Sequence, residues 1–400
     1  MLKEKVDKLV DKYLDEVISI RRHIHQNPEF SLKEFETSKF VANELRKIGL
    51  EAQEGVGKTG VVSNLNLGKG EKNLMLRVDM DALPIQEETG LPFASKNPGV
   101  MHACGHDIHT SILLGVTKVL NEIKDEINGN VKFVFQPAEE NNPVGGAPLM
   151  IKEGVLENPH VDNAVALHVW DYPIGTVAVK PNAMMSESNR IFITIKGQAS
   201  HASKPHEGHD AIVCAAYLIT QLQTIVSRAI DPSDVVVLTL SKINGGVRYN
   251  VLPGEVSIEG TVRCSSAEAC EILPDKIEEF IKDVCKIHGC DYEYKFSHGY
   301  PVTMNDPKLT KLVKKSVVNS IGEDNLIEMD NPDTGGEDFS FFAKEVPSCF
   351  MFLGCKSEKN EDACILHNSR FNCDEDCIKT GIKAIVNIVI DYFNKKFIRL

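Results

Sequence analysis

The sequence contains the run Leu74-Met75-Leu76-Arg77-Val78, which is followed at once by Asp79-Met80-Asp81. A short apolar run of this kind predicts a strand buried on both faces, as the strands of parallel sheets are. Further apolar runs occur at residues 131–135, 164–167 and 349–353, and helical spacing of apolar residues occurs at 108–123, 309–321 and 378–393. Strands that alternate with helices predict an α/β fold, with a mostly parallel central sheet and helices on both faces.

The middle of the chain has a different rhythm. It predicts strands at residues 191–195, 235–240, 255–262 and 291–296, and helices at 210–228 and 267–288. The order β-α-β-β-α-β is typical of a small ferredoxin-like α+β sandwich. The simplest account is one α/β domain built from residues 1–186 and 299–400, with residues 187–298 inserted as a second domain.

The charge balance excludes several classes of function. The 400 residues include 57 acidic and 44 basic side chains, which gives a formal net charge of −13. Nucleic-acid binders and proteins of anionic membranes need basic surface, so we expect neither partner. No apolar run approaches the ~18 residues that span a bilayer, and no signal peptide is visible. The 11 cysteines are dispersed, which favours a reducing cytoplasm with most of them as small buried apolar residues.

Two motifs carry side chains that can bind metals. In Met101-His102-Ala103-Cys104-Gly105-His106-Asp107, Cys104 and His106 flank a glycine at a predicted helix start, where the helix N-terminus favours a thiolate. In Phe135-Gln136-Pro137-Ala138-Glu139-Glu140, two carboxylates follow a strand, beyond whose carboxyl end ligands gather. Adjacent carboxylates are costly unless a cation lies between them. One Glu as a metal ligand and its neighbour as a general base would resolve that cost.

Two histidines lie at strand ends or in loops, His168 in Leu167-His168-Val169 and His367 in Leu366-His367-Asn368. A single histidine is more often structural than catalytic. Together with the Cys/His motif and the glutamate pair, however, the two histidines supply nitrogen, oxygen and sulfur donors for one or two divalent transition ions. Asp79 and Asp81 project from one strand end. We expect these carboxylates to accept the second N–H of a ligand histidine and orient its ring. A turn-forming or helix-capping Asp fits the same pattern.

The ordered set of motifs resembles the metallo-amidohydrolases that include aminoacylases, hippurate hydrolases, glutamate carboxypeptidases and plant indole-acetyl-amino acid hydrolases. The hippurate hydrolase and indole-acetyl-amino acid hydrolase type is the most similar subgroup. The resemblance covers nearly the whole chain. Besides the motifs quoted above, it rests on residues 21–29, 82–84, Ser200-His201-Ala202-Ser203 and Gly335-Gly336-Glu337-Asp338-Phe339.

The resemblance implies a catalytic α/β domain with an inserted lid or dimerisation domain, and two divalent ions per subunit. The matching ligand positions are Cys104, His106, Glu140, His168 and His367. It also implies that Glu139 is the general base, and that His201 donates to the oxyanion in the neighbouring subunit of a homodimer. The substrate contacts would come from Asn250, Arg263, Gly335 and Gly336.

Each of these implied contacts has a chemical reason. Arg263 suits the free carboxylate of an N-acyl amino acid. Gly335 and Gly336 would offer backbone N–H groups, unless they form only a tight turn. Many relatives have an Asp where this chain has Cys104, so the thiolate marks the subgroup and leaves the ions open among Mn, Zn, Co and Ni. The segment 141–148 departs from the family pattern, and its prolines bear on the loop beside the metals and on substrate preference.

The implied activity is hydrolysis of the amide bond of an N-acyl or N-aroyl amino acid, by metal-activated water and a Glu base. A dipeptidase, a carboxypeptidase or an N-acetyl-diaminopimelate deacetylase would use the same site, and the sequence leaves these alternatives open. A different class is a structural-zinc protein, built on Cys355, Cys364, Cys373 and Cys377. Their spacings lack the tight cysteine pairs that are expected of such a site.

Overall fold

A computed structural model describes residues 2–68, 70–358 and 364–394 of the chain. Its α-helices are α1 (Leu2–Gln26), α2 (Phe35–Lys47), α3 (His106–Glu122), α4 (Ala147–Lys152), α5 (Ala211–Thr224), α6 (Ala267–His288), α7 (Pro307–Ile321), α8 (Phe339–Glu345) and α9 (Cys377–Phe393). Its strands are β1 (Gln53–Val56), β2 (Gly60–Asn66), β3 (Asn73–Asp79), β4 (Asn130–Gln136), β5 (Asn163–Pro173), β6 (Val177–Val179), β7 (Asn182–Met185), β8 (Glu187–Lys196), β9 (Val236–Gly245), β10 (Glu255–Cys264), β11 (Asp291–Ser297), β12 (Thr303–Asn305), β13 (Leu326–Glu328) and β14 (Ser348–Lys356).

The chain divides into two compact units. The first contains the described parts of Met1–Met184, Met304–Asp330 and Asp338–Leu400, and the second contains Met185–Thr303 and Asn331–Glu337. The second unit therefore takes in residues 185–186, 299–303 and 331–337, which the sequence analysis assigned to the α/β domain. Strands β7 and β12, which lie at the two crossings near Met184 and Thr303, pair in a small sheet.

The first unit is built on an eight-stranded sheet in the order β1-β2-β4-β3-β5-β14-β6-β13. Its four central strands, β4, β3, β5 and β14, run parallel to one another. Every residue of β3 is buried, which is why this strand reads as a continuous apolar run. The buried faces of α1, α3, α7 and α9 share one apolar core with these strands. The mixed α/β fold with a mostly parallel central sheet is therefore confirmed.

The second unit contains a four-stranded antiparallel sheet in the order β11-β8-β10-β9. The chain passes through it as β8, α5, β9, β10, α6 and β11. Alternate side chains of β8, at Ile191, Ile193 and Ile195, enter a separate apolar core with the buried faces of α5 and α6. Capping side chains begin both helices: Asp210 accepts the N–H groups of two residues of α5, and Ser266 accepts one from α6.

Helix α5 and the single π turn after it form the stretch Ala211–Ala229. Among the described residues, this is the one helical stretch that is long and apolar enough, by length and composition alone, to cross a membrane. Six of its side chains, Ala211, Cys214, Ala215, Leu218, Leu222 and Ile225, are buried in the core of the second unit. Packing in that core accounts for the apolar side chains on the buried face of this helical stretch.

The cysteines are mostly buried, as predicted. Nine of them are unpaired and all nine are buried. The remaining two, Cys264 and Cys270, form a disulfide, which the sequence analysis did not anticipate. Cys264 is the last residue of β10 and Cys270 lies in the first turn of α6, so the tight connection between strand and helix brings the two together.

Candidate metal centre and substrate contacts

Cys104 lies at the centre of the predicted donor set. Its Sγ is 3.3 Å from Nε2 of His168 on β5, and 3.3 Å from Nε2 of His367 in the loop after β14. Gly105 permits this placement, because its φ is +84° and a Cβ there would lie 2.4 Å from a methyl group of Val169. Only glycine therefore lets the chain turn from Cys104 directly into α3.

The two buried histidines beside Cys104 are held by their outer ring nitrogens. Nδ1 of His106 donates to the main-chain carbonyl of Asp81 at 2.8 Å, and Nδ1 of His168 donates to the carbonyl of Val169 at 2.6 Å. In the neutral form of each ring the lone pair lies on Nε2, and Nε2 of His106 is buried with no hydrogen-bond partner among the described residues. A histidine fixed through one nitrogen, with the lone pair of the other unused, has the arrangement of a metal ligand.

The two glutamates follow β4 on a turn that one aspartate organises. The N–H groups of Glu139 and Glu140 each donate to a carboxylate oxygen of Asp81, both at 3.0 Å. Oε1 of Glu140 lies 3.2 Å from Nε2 of His367. The turn begins at Ala138, whose φ is +58° and whose N–H donates to the buried carboxylate of Glu34 at 2.9 Å.

Asp79 and Asp81 have different principal partners from those predicted. His106 is oriented by the main-chain carbonyl of Asp81, and the Asp81 carboxylate stands farther from its Nδ1, at 3.4 Å. Asp79 accepts from Nδ1 of His109 at 2.6 Å, while Nε2 of His109 accepts the N–H of Val169 at 2.8 Å. Both nitrogens of His109 are thus used in fixing β3 to β5. The sequence offered no way to separate this histidine from its neighbour His106.

The electrostatics of the centre favour a cation. Burial, reinforced by the carboxylates of Glu140 and Glu139, raises the pKa of the Cys104 thiol well above its ordinary value. Burial opposes a charge on His106 as well, but Asp79 and Asp81 outweigh it and raise the pKa of its imidazole to about 10. Acidic groups concentrated out of water hold a cation strongly, and a divalent ion would take the place of these protons.

The five predicted ligand positions fall into two groups that share one sulfur. Cys104, His106 and His168 form one group, and Cys104, Glu140 and His367 form the other, with the ligand atoms of each group within 4.8 Å of one another. His106 also groups with the two glutamates, Glu139 and Glu140. A thiolate common to two sets of three donors is the arrangement that two adjacent ions need.

His201 and Asn250 lie next to each other in the second unit. His201 forms an isolated bridge with Val251, and the carbonyl of Asn250 accepts the N–H of Ala202 at 3.2 Å. His201 is exposed, and its Nδ1 accepts the N–H of Ser203 at 3.1 Å. Its neutral ring therefore carries the hydrogen on Nε2. The side-chain oxygen of Asn250 is buried without a hydrogen-bond partner among the described residues.

Arg263 and the two glycines also belong to the second unit. Burial and the nearby Arg190 lower the pKa of the Arg263 guanidinium below its ordinary value. A Cβ on Gly336 would lie 2.7 Å from Cβ of Ser188, so close packing requires glycine there. The N–H of Gly335 donates to the Asp333 carboxylate at 2.6 Å. This bond commits the N–H to a turn, which favours the tight-turn alternative that the sequence analysis left open.

A buried network that the sequence analysis left without a role links β3, β4 and the start of α8. The Arg77 guanidinium donates to Asp79 at 2.8 Å, to Gln136 at 2.8 Å and to Asp338 at 2.7 Å. Asp338 also accepts the N–H groups of Gly146 and Ala147. A guanidinium at the end of a buried apolar strand was the signal, because a buried cation must be paired.

Comparison with known proteins shows the family. Residues 75–391 match the peptidase family M20/M25/M40, and the chain belongs to it. The chain is 39% identical over 399 residues to thermostable carboxypeptidase 2 of Saccharolobus solfataricus. The matched region covers 98% of this chain and 100% of that protein. It is 42% identical over 307 residues to the N-acyl-L-amino acid amidohydrolase of Geobacillus stearothermophilus, covering 76% and 82% of the two chains.

The solved structures agree with this assignment. The YXEP protein of Bacillus subtilis, described as a dinuclear metal binding peptidase of the M20 family, superposes with a TM-score of 0.81 and 29% identity, covering 96% of this chain and 99% of that one. The resemblance inferred from the motifs is therefore confirmed. The protein is an enzyme, a hydrolase of the M20 family.

Proposed function

We propose that this enzyme hydrolyses the amide bond of N-acyl or N-aroyl amino acids, releasing a carboxylic acid and a free amino acid. The observation that carries the proposal is the shared thiolate of Cys104 between two sets of donors, beside the buried carboxylate of Glu139. A relative named N-acyl-L-amino acid amidohydrolase supports this substrate class. The small substrate and the absence of a nucleic-acid partner agree with the net charge of −13.

Two divalent ions, of Mn, Zn, Co or Ni, would be held by the five donors Cys104, His106, Glu140, His168 and His367. The residues fit such ions, because Nε2 of His106 is buried without a partner and thiolate, imidazole and carboxylate are all ligands of transition metals. When bound, the ions acidify water and polarise the amide carbonyl. Asp81 holds the backbone beneath both glutamates, which keeps a ligand and a base side by side.

Glu139 is the proposed general base. Its side chain is buried, with 6% of its surface exposed, and its main chain is fixed by Asp81 at 3.0 Å. A carboxylate in this position takes the proton from the attacking water and passes it to the leaving nitrogen. The hydrogen bonds of His109 with Asp79 and Val169 hold β3 against β5.

His201 is the proposed oxyanion donor, acting in the site of a partner subunit. The hydrogen on its Nε2 follows from the bond that Nδ1 accepts from Ser203, so the neutral ring is ready to donate. Asn250 and Arg263 are proposed as contacts to the substrate, with Arg263 on its free carboxylate. For Gly336 the contact with Ser188 supports a packing role, and the committed N–H of Gly335 weakens its case as a contact.

We further propose that the second unit, residues 187–298 by the sequence analysis, is a ferredoxin-like lid and dimerisation domain. Strand β9 is an edge strand of its sheet, and unpaired edges are templates for pairing with another chain. Val247 and Tyr249, in the segment after β9, are each 89% exposed. A homodimer through this edge would cover them. The nine unpaired cysteines agree with a cytoplasmic location.

The second candidate function is a carboxypeptidase or dipeptidase, which one full-length relative favours by its name. An N-acetyl-diaminopimelate deacetylase is a narrower form of the first proposal, and a relative 36% identical over 384 residues carries that name. The discriminator is a free amine on the substrate, which a dipeptidase requires and an acylase does not.

One experiment separates these functions. Purified enzyme is assayed on hippurate, on N-acetyl amino acids, on N-acetyl-diaminopimelate and on unblocked dipeptides, before chelation, after chelation and after metal is restored. We expect hydrolysis of the blocked substrates, lost with the chelator and regained with metal. Cleavage confined to unblocked dipeptides would favour the second candidate, and activity that survives complete metal removal would refute metal dependence.

A further inference from the structure

Four cysteines outside the catalytic centre come together near the C-terminus. Cys355 lies in β14, Cys377 is the first residue of α9, and Cys364 and Cys373 lie in the segment between them. All four are buried, none with more than 2% of its surface exposed. None of them has a part in the chemistry proposed above.

Hydrogen bonds fold this segment back onto the end of β14. Sγ of Cys364 lies 3.4 Å from the carbonyl oxygen of Cys355, and the N–H of Asp374 donates to the same oxygen at 3.2 Å. The sulfur of Cys364 is also 3.7 Å from the carbonyl oxygen of Asn372. The thiol of Cys355 donates to the main-chain carbonyl of Trp170 at 3.3 Å, and it also interacts with the thiols of Cys364 and Cys373. The fold thus supplies the proximity that the sequence spacing did not show.

Burial and nearby carboxylates, Asp171 and Asp107 among them, raise the pKa of these thiols, but positive groups act on the cluster as well. Cys377 opens α9, a helix of 17 residues, and a helix N-terminus favours thiolate. The buried guanidinium of Arg21 acts electrostatically on Cys373 and Cys377. Arg21 is itself bound to Asp107 at 2.7 Å and to Glu375 at 3.2 Å. These groups offset part of the negative charge that four thiolates would bring into the core.

We propose that Cys355, Cys364, Cys373 and Cys377 bind a third metal ion, a zinc ion in a closed structural site. Four thiolates around one ion, with no position left for water, are typical of structural zinc. Soft sulfur ligands select zinc over the harder divalent ions. The ion ties the end of β14 to the start of α9.

The third ion has a consequence for the catalytic centre. His367 lies between Cys364 and Cys373 in the chain, so it belongs to the segment that the four cysteines close. Its main-chain N–H donates to the carbonyl of Ala103 at 2.8 Å, but its side chain is 53% exposed. The zinc ion fixes the backbone that carries this proposed ligand.

The test is metal analysis of the full-length chain after dialysis against a weak chelator. For wild type we expect about three metal ions per chain, and for a variant with Cys104→Ser and His168→Ala about one. Adding Cys373→Ser and Cys377→Ser to that variant removes the last ion. The number of bound ions does not depend on activity, so a failure of this proposal can be distinguished from a failure of the proposed function.

A matched control and a spectroscopic reading complete the test. Cys349→Ser, at a buried cysteine that contacts Thr310 instead of the cluster, leaves the count unchanged. Cobalt bound to the variant lacking Cys104 and His168 gives the charge-transfer and visible bands of tetrahedral thiolate, so the result does not rest on the stability of the cluster variants. The proposal is overturned if protein purified under reductant retains no ion in the Cys104→Ser, His168→Ala variant. It is also overturned if the four cysteines prove to be disulfide-bonded or freely alkylated in the native state.

Discussion

The buried histidines of the first unit and His201 of the second unit are held in opposite ways. Around Cys104, His106 and His168 are buried, and each ring is fixed by a hydrogen bond on the nitrogen that faces away from the sulfur. His201 is exposed and has one short-range partner, Ser203. Groups that bind a small ion must be oriented before it arrives, because misplacement by an ångström is costly. Contacts to a larger ligand can be completed by that ligand or by a partner chain.

The difference predicts where mutations act. Changes in the first set should alter metal content, the proton transfer or the pH dependence of folding. Changes in the second set should alter turnover while leaving the metal content intact. Four changes test this separation.

The largest effect is expected for Glu139→Gln. Gln is nearly isosteric but cannot take a proton, so kcat should fall by roughly 10²–10⁴-fold while both ions remain bound. Turnover and metal content are measured on the same preparation. Glu157→Gln, at an exposed glutamate, serves as the control and should behave as wild type. A fully loaded Glu139→Gln enzyme with most of its activity would show that Glu139 is not the base.

His201→Ala should lower kcat by about 10²–10³-fold, as loss of one oxyanion donor does, with metal content unchanged. His206→Ala, in the same exposed loop, is the matched control and should keep its activity. If His201 acts in the partner subunit, subunit exchange with Glu139→Gln should restore activity, up to about half of the sites in the mixed dimers. Dimers that exchange without regaining activity would assign His201, if it acts at all, to its own chain.

Cys104→Ser should weaken metal binding by about tenfold or more and lower the rate, without unfolding the chain. Serine oxygen stays protonated and is a harder ligand than thiolate. Competition with a chromogenic chelator measures the affinity, and thermal unfolding checks the fold. Wild-type affinity for both ions would make Cys104 a bystander, and the shared-thiolate arrangement would then be wrong.

The last effect is on stability alone and concerns Glu34, which supports the turn before Glu139. Burial, together with the charge of Asp81, raises the pKa of Glu34 to about 7. The folded state therefore binds more protons than the unfolded state between about pH 4.5 and 7, and its free energy of unfolding falls as pH rises through that window, by roughly 3 kcal/mol. Glu34→Gln should remove this slope. Denaturant unfolding of metal-free protein at several pH values measures it, and an unchanged slope would assign the dependence to other groups.

Much of the fold could be predicted because buried parallel strands appear in the sequence as apolar runs and long amphipathic helices as apolar residues at helical spacing. The run at residues 74–78 became β3, and the helices predicted at 267–288 and 309–321 lie at α6 and α7. Helix α2 was not predicted. Glu34 precedes it and makes no side-chain hydrogen bond to its first turn, so the start of the helix carries no capping signal. The three-residue strands β6 and β13 are too short to show a periodic pattern, so their strand conformation depends on pairing within the sheet.

The candidate site was predictable in its residue types and not in its hydrogen bonds. Donors at strand ends could be placed at one edge of the sheet from the motif order alone. Which nitrogen of His106 or His109 is occupied depends on Asp81 and Val169, which approach through the fold. The role of Glu34 in holding Ala138 is likewise tertiary. The same limit applied to the four cysteines near the C-terminus, whose spacing concealed their proximity.

The most direct test of the central claim is diffraction from crystals of metal-loaded enzyme, recorded at the absorption edge of the bound metal. The account predicts two anomalous peaks that both adjoin Sγ of Cys104. One should also contact His106 and His168, and the other should contact Glu140 and His367. A single peak at this centre, or peaks that do not involve Cys104, would contradict it.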